Sequence, residues 1–185
     1  MIDYITQIDF SILYWIQDIF KCRAMDVLMW FFSFIEENGM VWIVLSVVLI
    51  CFKKTRYCGF AVLIAMAVDT ILAEGIIKNI VCRVRPCYQV PDFDMIITRP
   101  DSYSFPSNHS ASSFAAATAI FLTIKRKVWS VPAFILAGII SFSRLYLFVH
   151  FPSDVIAGII FGILVAIVVC YFTKKVGIKS LLQKT

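Results

Sequence analysis

Three side chains whose types suit nucleophilic chemistry and the binding of an anion interrupt an otherwise mostly apolar stretch, residues 143–154. They are Arg144, His150 and Asp154. Charged groups at the edge of a hydrocarbon layer cost on the order of a few kcal/mol each, so in a membrane protein they indicate a functional site. His150 and Asp154 are four residues apart and Pro152 suits the first turn of a helix, so the carboxylate can face back toward the imidazole. A histidine held in this way keeps one ring nitrogen free as a nucleophile or base, and Arg144 adds a forked donor for phosphate oxygens.

Two cations seven residues apart form a second candidate group. Lys78 and Arg85 stand at the end of a long apolar run, and Pro86 follows at once. Seven residues make nearly two helical turns, so on a helix both cations would share one face, with Pro86 marking the exit. Two cations on one face suit a phosphate, whereas the alternative is a pair of snorkelling side chains at a helix end. Glu74, four residues before Lys78, is a candidate partner for its charge.

The third group precedes another apolar run. Pro106, Ser107 and Asn108 form a helix-start signal in which Ser107 or Asn108 is the cap. Such a terminus presents free backbone N–H groups and a favourable dipole to an anion, and His109 would lie beside it. A lone histidine here is more often an interfacial residue without chemistry. The chain has two histidines, however, and both fall within these groups, which favours one shared site over an incidental polar turn.

The composition places these groups in a membrane protein. Of the 185 residues, 61% are hydrophobic and 16% are charged, which lies far outside the usual soluble range. The apolar runs are continuous rather than alternating, so we expect helices and not barrel strands. We predict one domain over residues 1–185, an all-α polytopic membrane helix bundle of about five to six transmembrane helices. The main apolar runs are Met40–Phe52, Gly59–Val81, Ser110–Ile124, Val128–Phe142 and Val155–Phe172.

Two segments near the N-terminus are less regular. Three aspartates interrupt Met1–Phe20, which lacks the basic start and small-residue cleavage site of a signal peptide. We predict an interfacial amphipathic helix there. The next segment, Ala24–Ile35, makes only about 18 Å of helix, so it is either a short span or a re-entrant piece.

The basic residues predict the orientation of the chain. If each intervening run spans the bilayer, three basic clusters fall on one face, which the positive-inside rule makes cytoplasmic. The three candidate groups then lie on the opposite face. Cations on that face run against the positive-inside rule, and an anionic ligand would explain them. A patch for nucleic acid or for a soluble acidic partner is the less favoured interpretation of clusters that stand beside apolar spans. The clusters are Lys53, Lys54 and Arg56; Lys125, Arg126 and Lys127; and Lys174, Lys175, Lys179 and Lys184.

The six cysteines do not have the spacing of metal ligands, and most lie in or beside apolar runs. Cys82 and Cys87 flank the polar loop. They are either free thiols or, if that loop faces an oxidising compartment, a disulfide.

The three groups together resemble the type 2 phosphatidic acid phosphatase family of membrane lipid phosphatases. The family's pattern is Lys, six residues, Arg-Pro; then Pro-Ser-x-His; then Ser-Arg, five residues, His, three residues, Asp. Asn108 departs from the Gly or Asp of many members, which bears on substrate subclass more than on reaction type. Within residues 78–154 the sequence matches the pattern at Lys78, Arg85, Pro86, Pro106, Ser107, His109, Ser143, Arg144, His150 and Asp154.

The resemblance implies a division of roles among these residues. His150, oriented by Asp154, would attack phosphorus and form a phosphohistidine, while His109 would protonate the leaving oxygen and then activate water. It implies no metal and no cofactor. Phosphate binding would fall to Lys78, Arg85, Ser107, Asn108 and Arg144.

The resemblance and the predicted orientation imply a multi-pass enzyme of the cytoplasmic membrane whose active site faces the extracytoplasmic side. Its partners would be the bilayer and a lipid phosphate, not nucleic acid; the oligomeric state stays open. The substrates implied are undecaprenyl pyrophosphate, phosphatidylglycerophosphate, phosphatidic acid and diacylglycerol pyrophosphate. The first is favoured because its product is released on that side. A rival from another class is a non-catalytic lipid-phosphate binder or transporter, and another is a bis-histidine haem protein, which would have no use for the cations.

Overall fold

The computed structural model describes residues 2–176, and in that range the chain forms helices and no strand. Most of the predicted apolar runs become helices with bounds close to those expected. The α-helices are α1 (Ile2–Phe20), α2 (Arg23–Ile35), α3 (Met40–Cys51), α4 (Arg56–Leu72), α5 (Lys78–Val81), α6 (Pro86–Gln89), α7 (Asn108–Thr123), α8 (Val131–Tyr146) and α9 (Pro152–Lys175).

Helix α7 lies at the centre of the bundle and packs against α4, α8 and α9. Its inner residues are mostly alanine and serine, and α9 meets them with Gly158 and Gly162. A Cβ on Gly162 would lie 2.0 Å from the carbonyl oxygen of Ala111, and one on Gly158 would lie 2.5 Å from that of Ser107. The two backbones are therefore in direct contact, as small residues permit between membrane helices. This contact places the first turns of α7 and α9 side by side.

Three helical segments are long and apolar enough to cross a membrane: Arg56–Gln89, Lys127–Tyr146 and Pro152–Lys175. A fourth is possible if Arg23–Ile35 and Glu37–Cys51, which meet at a bend of 49°, count as one broken span. The predicted all-helical membrane fold is thus confirmed, but a count of five to six spans is not. One reason is that α7 has 16 residues and makes only about 24 Å of helix. The bend also leaves both interpretations of Ala24–Ile35 open.

The segment that carries Lys78 differs from the regular helix that the sequence predicted. A π turn, Ala73–Ile77, joins α4 to α5, and α5 ends where Cys82 adopts a left-handed conformation (φ 50°). Arg85 therefore lies in the extended stretch beyond the helix, and Pro86 begins α6 rather than marking a helix exit. The expectation that Lys78 and Arg85 share one helix face is wrong, although both side chains reach the same cavity.

A helix forms over the N-terminal segment, as predicted. Its outward residues are large and apolar, among them Ile5, Ile12 and Trp15, while Asp9 and Gln17 are buried against the bundle. Two polar side chains of α1 thus face the bundle, whereas Gln7, Ser11 and Asp18 are exposed. That α1 lies in the membrane interface remains a prediction.

The basic clusters at 53–56, 125–127 and 174–175 lie at the end of the bundle that is far from the first turns of α7 and α9. The hydroxyl of Tyr57, near the start of α4, lies 3.0 Å from that of Thr173, near the end of α9. Because α9 has 24 residues, this end lies about 36 Å along the helix from its first turn. Lys179 and Lys184 of the third cluster fall outside the described residues. The six cysteines are free thiols; Cys82 is exposed and Cys87 is buried, so no bond joins them.

Candidate active site

His150 lies in the tight turn that connects α8 to α9. The backbone N–H groups of Val149 and His150 both donate to the carbonyl of Arg144, at 3.2 and 3.3 Å. Phe148 adopts a left-handed conformation (φ 59°), which reverses the chain direction. The imidazole is therefore held by its backbone and is almost fully buried.

Arg85 donates a hydrogen bond to His150. Its Nη1 lies 2.9 Å from Nε2 of the imidazole and 2.9 Å from the carbonyl oxygen of Val149. A guanidinium can only donate, so Nε2 must carry a lone pair and the proton of the neutral ring resides on Nδ1. Two further bonds from Arg85 to Ser102, at 2.6 and 2.9 Å, fix the guanidinium.

The carboxylate of Asp154 faces the protonated side of the imidazole. Its Oδ2 lies 3.8 Å from Nδ1 of His150, beyond hydrogen-bond distance, and Nδ1 has no other partner. The same carboxylate accepts hydrogen bonds from the Ser104 hydroxyl at 2.5 Å and from the Phe151 N–H at 3.0 Å. Arg83 Nη1 lies 2.5 Å from its Oδ1. Asp154 is thus a fixed negative charge beside the ring and a cap for α9.

The surroundings of His150 keep it neutral. Burial, together with the positive charges of Arg85, Arg144 and Lys78, holds the pKa of His150 well below its usual range. The charged form is disfavoured both by desolvation and by like charge. At neutral pH Nε2 therefore keeps its lone pair, which accepts the hydrogen bond from Arg85.

A cavity of about 810 Å³ opens beside this histidine. Its wall includes six of the eight residues predicted to form the site, and the other two, Ser107 and Asp154, are buried behind it. Lys78 Nζ contacts Glu74 Oε1. Arg144 Nη1 contacts the Ser33 hydroxyl, and its Nε is buried without a partner. The six residues in the wall are Lys78, Arg85, Asn108, His109, Arg144 and His150.

The start of α7 forms another part of the wall. Ser107 occupies the N-cap position, as predicted, but its hydroxyl pairs with that of Ser110 at 3.0 Å rather than capping the helix. The Ser107 N–H donates to the carbonyl of Asp154 at 3.1 Å, which ties the first turns of α7 and α9 together. Asn108 and His109 follow in the first turn, and both line the cavity. His109 is the second titratable ring beside the same space.

Several residues around the site were not assigned to it from the sequence. Glu36 is buried in the cavity wall, where Ser112 and Ser113 donate to its Oε1 at 2.6 and 3.3 Å. Arg83, which follows α5, pairs with Asp154 and with Asp9 of α1. The position of Asp9 within an apolar N-terminal segment indicated that this aspartate could have a buried partner, but nothing in the sequence identified Arg83 as that partner.

The donor set of this site fits a phosphate rather than a metal or a haem. Within residues 2–176, no three His, Cys, Asp or Glu side chains are grouped as metal ligands. The ring nitrogen that a haem iron would need is engaged by the guanidinium of Arg85. Three cations that converge on one cavity match the charge of a phosphate group.

Known proteins resemble this chain in sequence. The family model described as the PAP2 superfamily matches residues 54–178 of this chain. An undecaprenyl-diphosphatase of Sulfolobus acidocaldarius is 33% identical over 131 residues, which cover 70% of this chain and 63% of that protein. A phosphatidylglycerophosphatase B of Bacillus subtilis is 30% identical over 134 residues, which cover 68% of this chain and 63% of that protein.

A solved structure is similar as well. The crystal structure of Aquifex aeolicus LpxE aligns with a TM-score of 0.76 and 25% identity, covering 88% of this chain and 94% of that one. The family model includes the segments that carry Lys78, His109 and His150 and matches well over half of the sequence. The chain therefore belongs to the PAP2 superfamily.

Proposed function

We propose that this protein is a membrane lipid phosphatase that removes a phosphate or pyrophosphate head group through a phosphohistidine intermediate. The observation that carries the proposal is the arrangement around His150. A neutral imidazole stands between a guanidinium on Nε2 and a carboxylate near Nδ1, and it opens into a cavity lined by cations. Such a pairing of nucleophile, orienting group and anion-binding groups supports phosphoryl transfer.

In the first step, the bound phosphate displaces the Arg85 guanidinium from Nε2 of His150. The lone pair then attacks phosphorus, a bond forms between Nε2 and phosphorus, and the bond from phosphorus to the leaving oxygen breaks. Burial and the neighbouring cations hold the pKa of His109 well below its usual range, so we propose that the negative charge of the bound phosphate favours uptake of a proton from solvent by this ring. The protonated His109 then gives that proton to the leaving oxygen. The imidazole becomes positively charged, with its proton on Nδ1, and the fixed carboxylate of Asp154 stabilises that charge.

The second step returns the histidines to their starting states. His109, now neutral, takes a proton from a water molecule whose oxygen attacks phosphorus. The bond between phosphorus and Nε2 breaks, inorganic phosphate leaves, and His150 recovers its lone pair. One water is consumed in each turnover, and His109 is protonated again.

The phosphoryl oxygens are held by groups from three parts of the chain. Lys78 and Arg85 lie at the end of the α4–α5 segment, and Arg144 lies at the end of α8. The free N–H groups and dipole of the α7 N-terminus, beside Asn108, add a further anion site. Fixed donors of this kind stabilise charge that moves onto the equatorial oxygens in the transition state.

The orientation follows from the basic end of the bundle. If the clusters at 53–56, 125–127 and 174–175 face the cytoplasm, the cavity opens on the extracytoplasmic side of the cytoplasmic membrane. There it can reach a lipid head group at the interface while the tail stays among the helices. The rim of the cavity carries large apolar side chains suited to such a tail, namely Trp30, Phe34, Ile96 and Ile97.

Undecaprenyl pyrophosphate is the substrate we favour. Hydrolysis on the outer side of the membrane would release undecaprenyl phosphate where that carrier has delivered its cargo. A relative whose match covers 70% of this chain is named an undecaprenyl-diphosphatase. Phosphatidylglycerophosphate is the second candidate, because another relative is named for it, and phosphatidic acid is the third.

The test is phosphate release by detergent-purified protein in the presence of EDTA. The three lipids are compared at equal surface concentration, with wild type, His150→Ala and His109→Gln side by side. Substrate labelled with ³²P is also used to trap an acid-labile phosphoenzyme. We expect EDTA-resistant release by wild type, no release and no trapped label with His150→Ala, and slow release with accumulated label for His109→Gln.

Different outcomes would exclude different parts of the proposal. Turnover by His150→Ala at the wild-type rate would exclude the nucleophile. Loss of activity with EDTA, restored by a divalent metal, would exclude a metal-independent reaction. Tight binding of all three lipids with no release by wild type would favour the non-catalytic binder.

A further inference from the structure

We infer that the N-terminal helix is part of the catalytic apparatus, with Asp9 acting through Arg83 as a positioning residue for Asp154 and His150. This inference rests on the proposed phosphatase function. Helix α1 lies outside the residues that match the family model, 54–178, so Asp9 is not part of the segment that assigns the chain to its family.

The carboxylate of Asp9 lies on the side of α1 that packs against the bundle, and it is buried there. Its exposed fraction is 3%. Oδ1 accepts the backbone N–H of Ser153 at 3.0 Å. Oδ2 accepts the Ser153 hydroxyl at 2.5 Å and the Nη2 of Arg83 at 2.7 Å. Because Ser153 is in the first turn of α9, Asp9 satisfies a free N–H group of that terminus across 144 positions of sequence.

Arg83 connects this carboxylate to the one beside the nucleophile. Its Nη2 faces Asp9, whereas its Nη1 lies 2.5 Å from Oδ1 of Asp154 and 2.7 Å from the Ser153 hydroxyl. Its guanidinium carbon lies 4.1 Å from the centre of the Phe151 ring. One guanidinium thus bridges two buried carboxylates while it packs on the residue next to His150.

The charge balance of this bridge bears on the reaction. Asp154 stabilises the positive imidazole that forms in the proposed first step, and a full Arg83 charge directed at it alone would neutralise that effect. Asp9 shares the guanidinium and so leaves negative potential at Asp154. Without the Asp9 charge, the His150 imidazolium would be less stable, phosphorylation slower and protonation of the free ring harder.

Helix α1 also fixes both ends of the turn that carries His150. Gln17 donates to the carbonyl of Tyr146, which precedes the turn, at 2.7 Å. Asp9 holds Ser153, which follows it, and the rings of Phe10 and Phe151 meet edge to face at 5.1 Å between centroids. Asp9 and Gln17 are eight positions apart on α1, so the helix acts as a rigid brace across the turn.

The test compares Asp9→Asn with Asp9→Glu and Asp18→Asn. The first removes the charge and keeps the shape, the second keeps the charge, and the third changes an exposed aspartate of the same helix. The measurements on full-length protein are kcat, KM, the pH dependence of kcat/KM, and the rate of phosphoenzyme formation with the lipid that wild type hydrolyses best. Size-exclusion profiles and melting temperatures check folding.

We expect Asp9→Asn to lower kcat roughly tenfold, to leave KM within about twofold, and to move the acid limb of the pH profile to lower pH. Asp9→Glu should recover part of the loss, and Asp18→Asn should match wild type. The double variant Asp9→Asn with Arg83→Gln should cost less than the sum of its single variants, since the two residues act as one unit.

Wild-type kcat and an unmoved acid limb for Asp9→Asn would overturn the inference. So would additive losses in the double variant, which would mean that Asp9 only stabilises the fold. Wild type and His150→Ala, measured in parallel, separate this result from the larger proposal. Activity that His150→Ala abolishes supports the phosphatase whatever Asp9 does, and a wild type without activity would exclude the phosphatase itself.

Discussion

Arg85 Nη1 lies 2.9 Å from Nε2 of His150, on the nitrogen that the proposed reaction uses to attack phosphorus. The guanidinium therefore occupies, before substrate binds, a position that the phosphoryl group must take. When phosphate enters, Arg85 exchanges a neutral acceptor for a charged one, which favours binding. In the proposed reaction, Nε2 of His150 becomes accessible when an anion draws the guanidinium of Arg85 away.

The first prediction concerns this pair. Arg85→Lys keeps the charge but loses the fork that contacts Ser102, Val149 and His150 at once. We expect kcat/KM for the preferred lipid to fall by about 100-fold, because lysine is a poor substitute at a multidentate site. Steady-state phosphate release checks it. Arg126→Lys, an exposed change near the basic end, is the control and should have the wild-type kcat/KM. A wild-type kcat/KM for Arg85→Lys would contradict the role assigned to Arg85.

The second prediction concerns pH. The pKa of His150 is held well below its usual range. Nε2 therefore keeps its lone pair even when the pH falls below about 6.5, the ordinary pKa of histidine. We expect the acid limb of kcat/KM, where activity is lost as the nucleophile protonates, to lie below pH 6.5. The measurement is a rate profile from pH 4.5 to about 9, paired with an NMR titration of the ring assigned with His109→Gln. A ring that titrates at or above 6.5 would refute the prediction.

The third prediction concerns the contact between α7 and α9. Gly162→Ala would push a Cβ into the Ala111 carbonyl, 2.0 Å away, so the helices must separate. We expect a loss of about 1–3 kcal/mol in the free energy of unfolding and lower activity, since the Ser107–Asp154 bond depends on the same contact. Thermal unfolding in detergent measures it. Gly138→Ala, with open space around the site of the added Cβ, should be neutral or stabilising.

The fourth prediction concerns Glu74, which contacts the Lys78 ammonium and competes with phosphate for it. Glu74→Gln should lower KM by about two- to fivefold with little change in kcat, the size expected for a partly exposed ion pair. Inhibition by inorganic phosphate gives an independent measure of the same affinity. Glu37→Gln removes a different carboxylate from the same cavity wall. An equal effect for both would mean that overall charge, not pairing with Lys78, controls affinity.

Much of the candidate site could be predicted because its parts lie at helix ends that the sequence marks plainly. Pro152 begins α9, and Ser107 is the N-cap of α7. His109 and His150 line one cavity, as their positions beside apolar runs suggested. Glu74 and Lys78 pair across one helical turn, as their spacing predicted.

The features that could not be predicted depend on long-range packing. Nothing local connects Asp9 to Ser153 or Arg83, because the contacts form only after α1 docks on the bundle. The left-handed Cys82 that ends α5 early carries no glycine or asparagine signal. The predicted count of five to six spans is not confirmed, because hydropathy reports apolar character and not whether a short helix such as α7 crosses the membrane.

The backbone contact between α7 and α9 has a consequence for how this architecture can diversify. The proposed reacting groups, His109 and His150, lie in the first turn of α7 and in the turn that precedes α9. The separation of these two helices is set by main-chain atoms and leaves little freedom. The outer wall of the cavity comes from α2 and from residues 96–102, which are not bound by that contact. Substitutions or insertions in the outer wall can therefore change which head-group sizes and tail shapes the cavity accepts. The positions of His109 and His150 need not change.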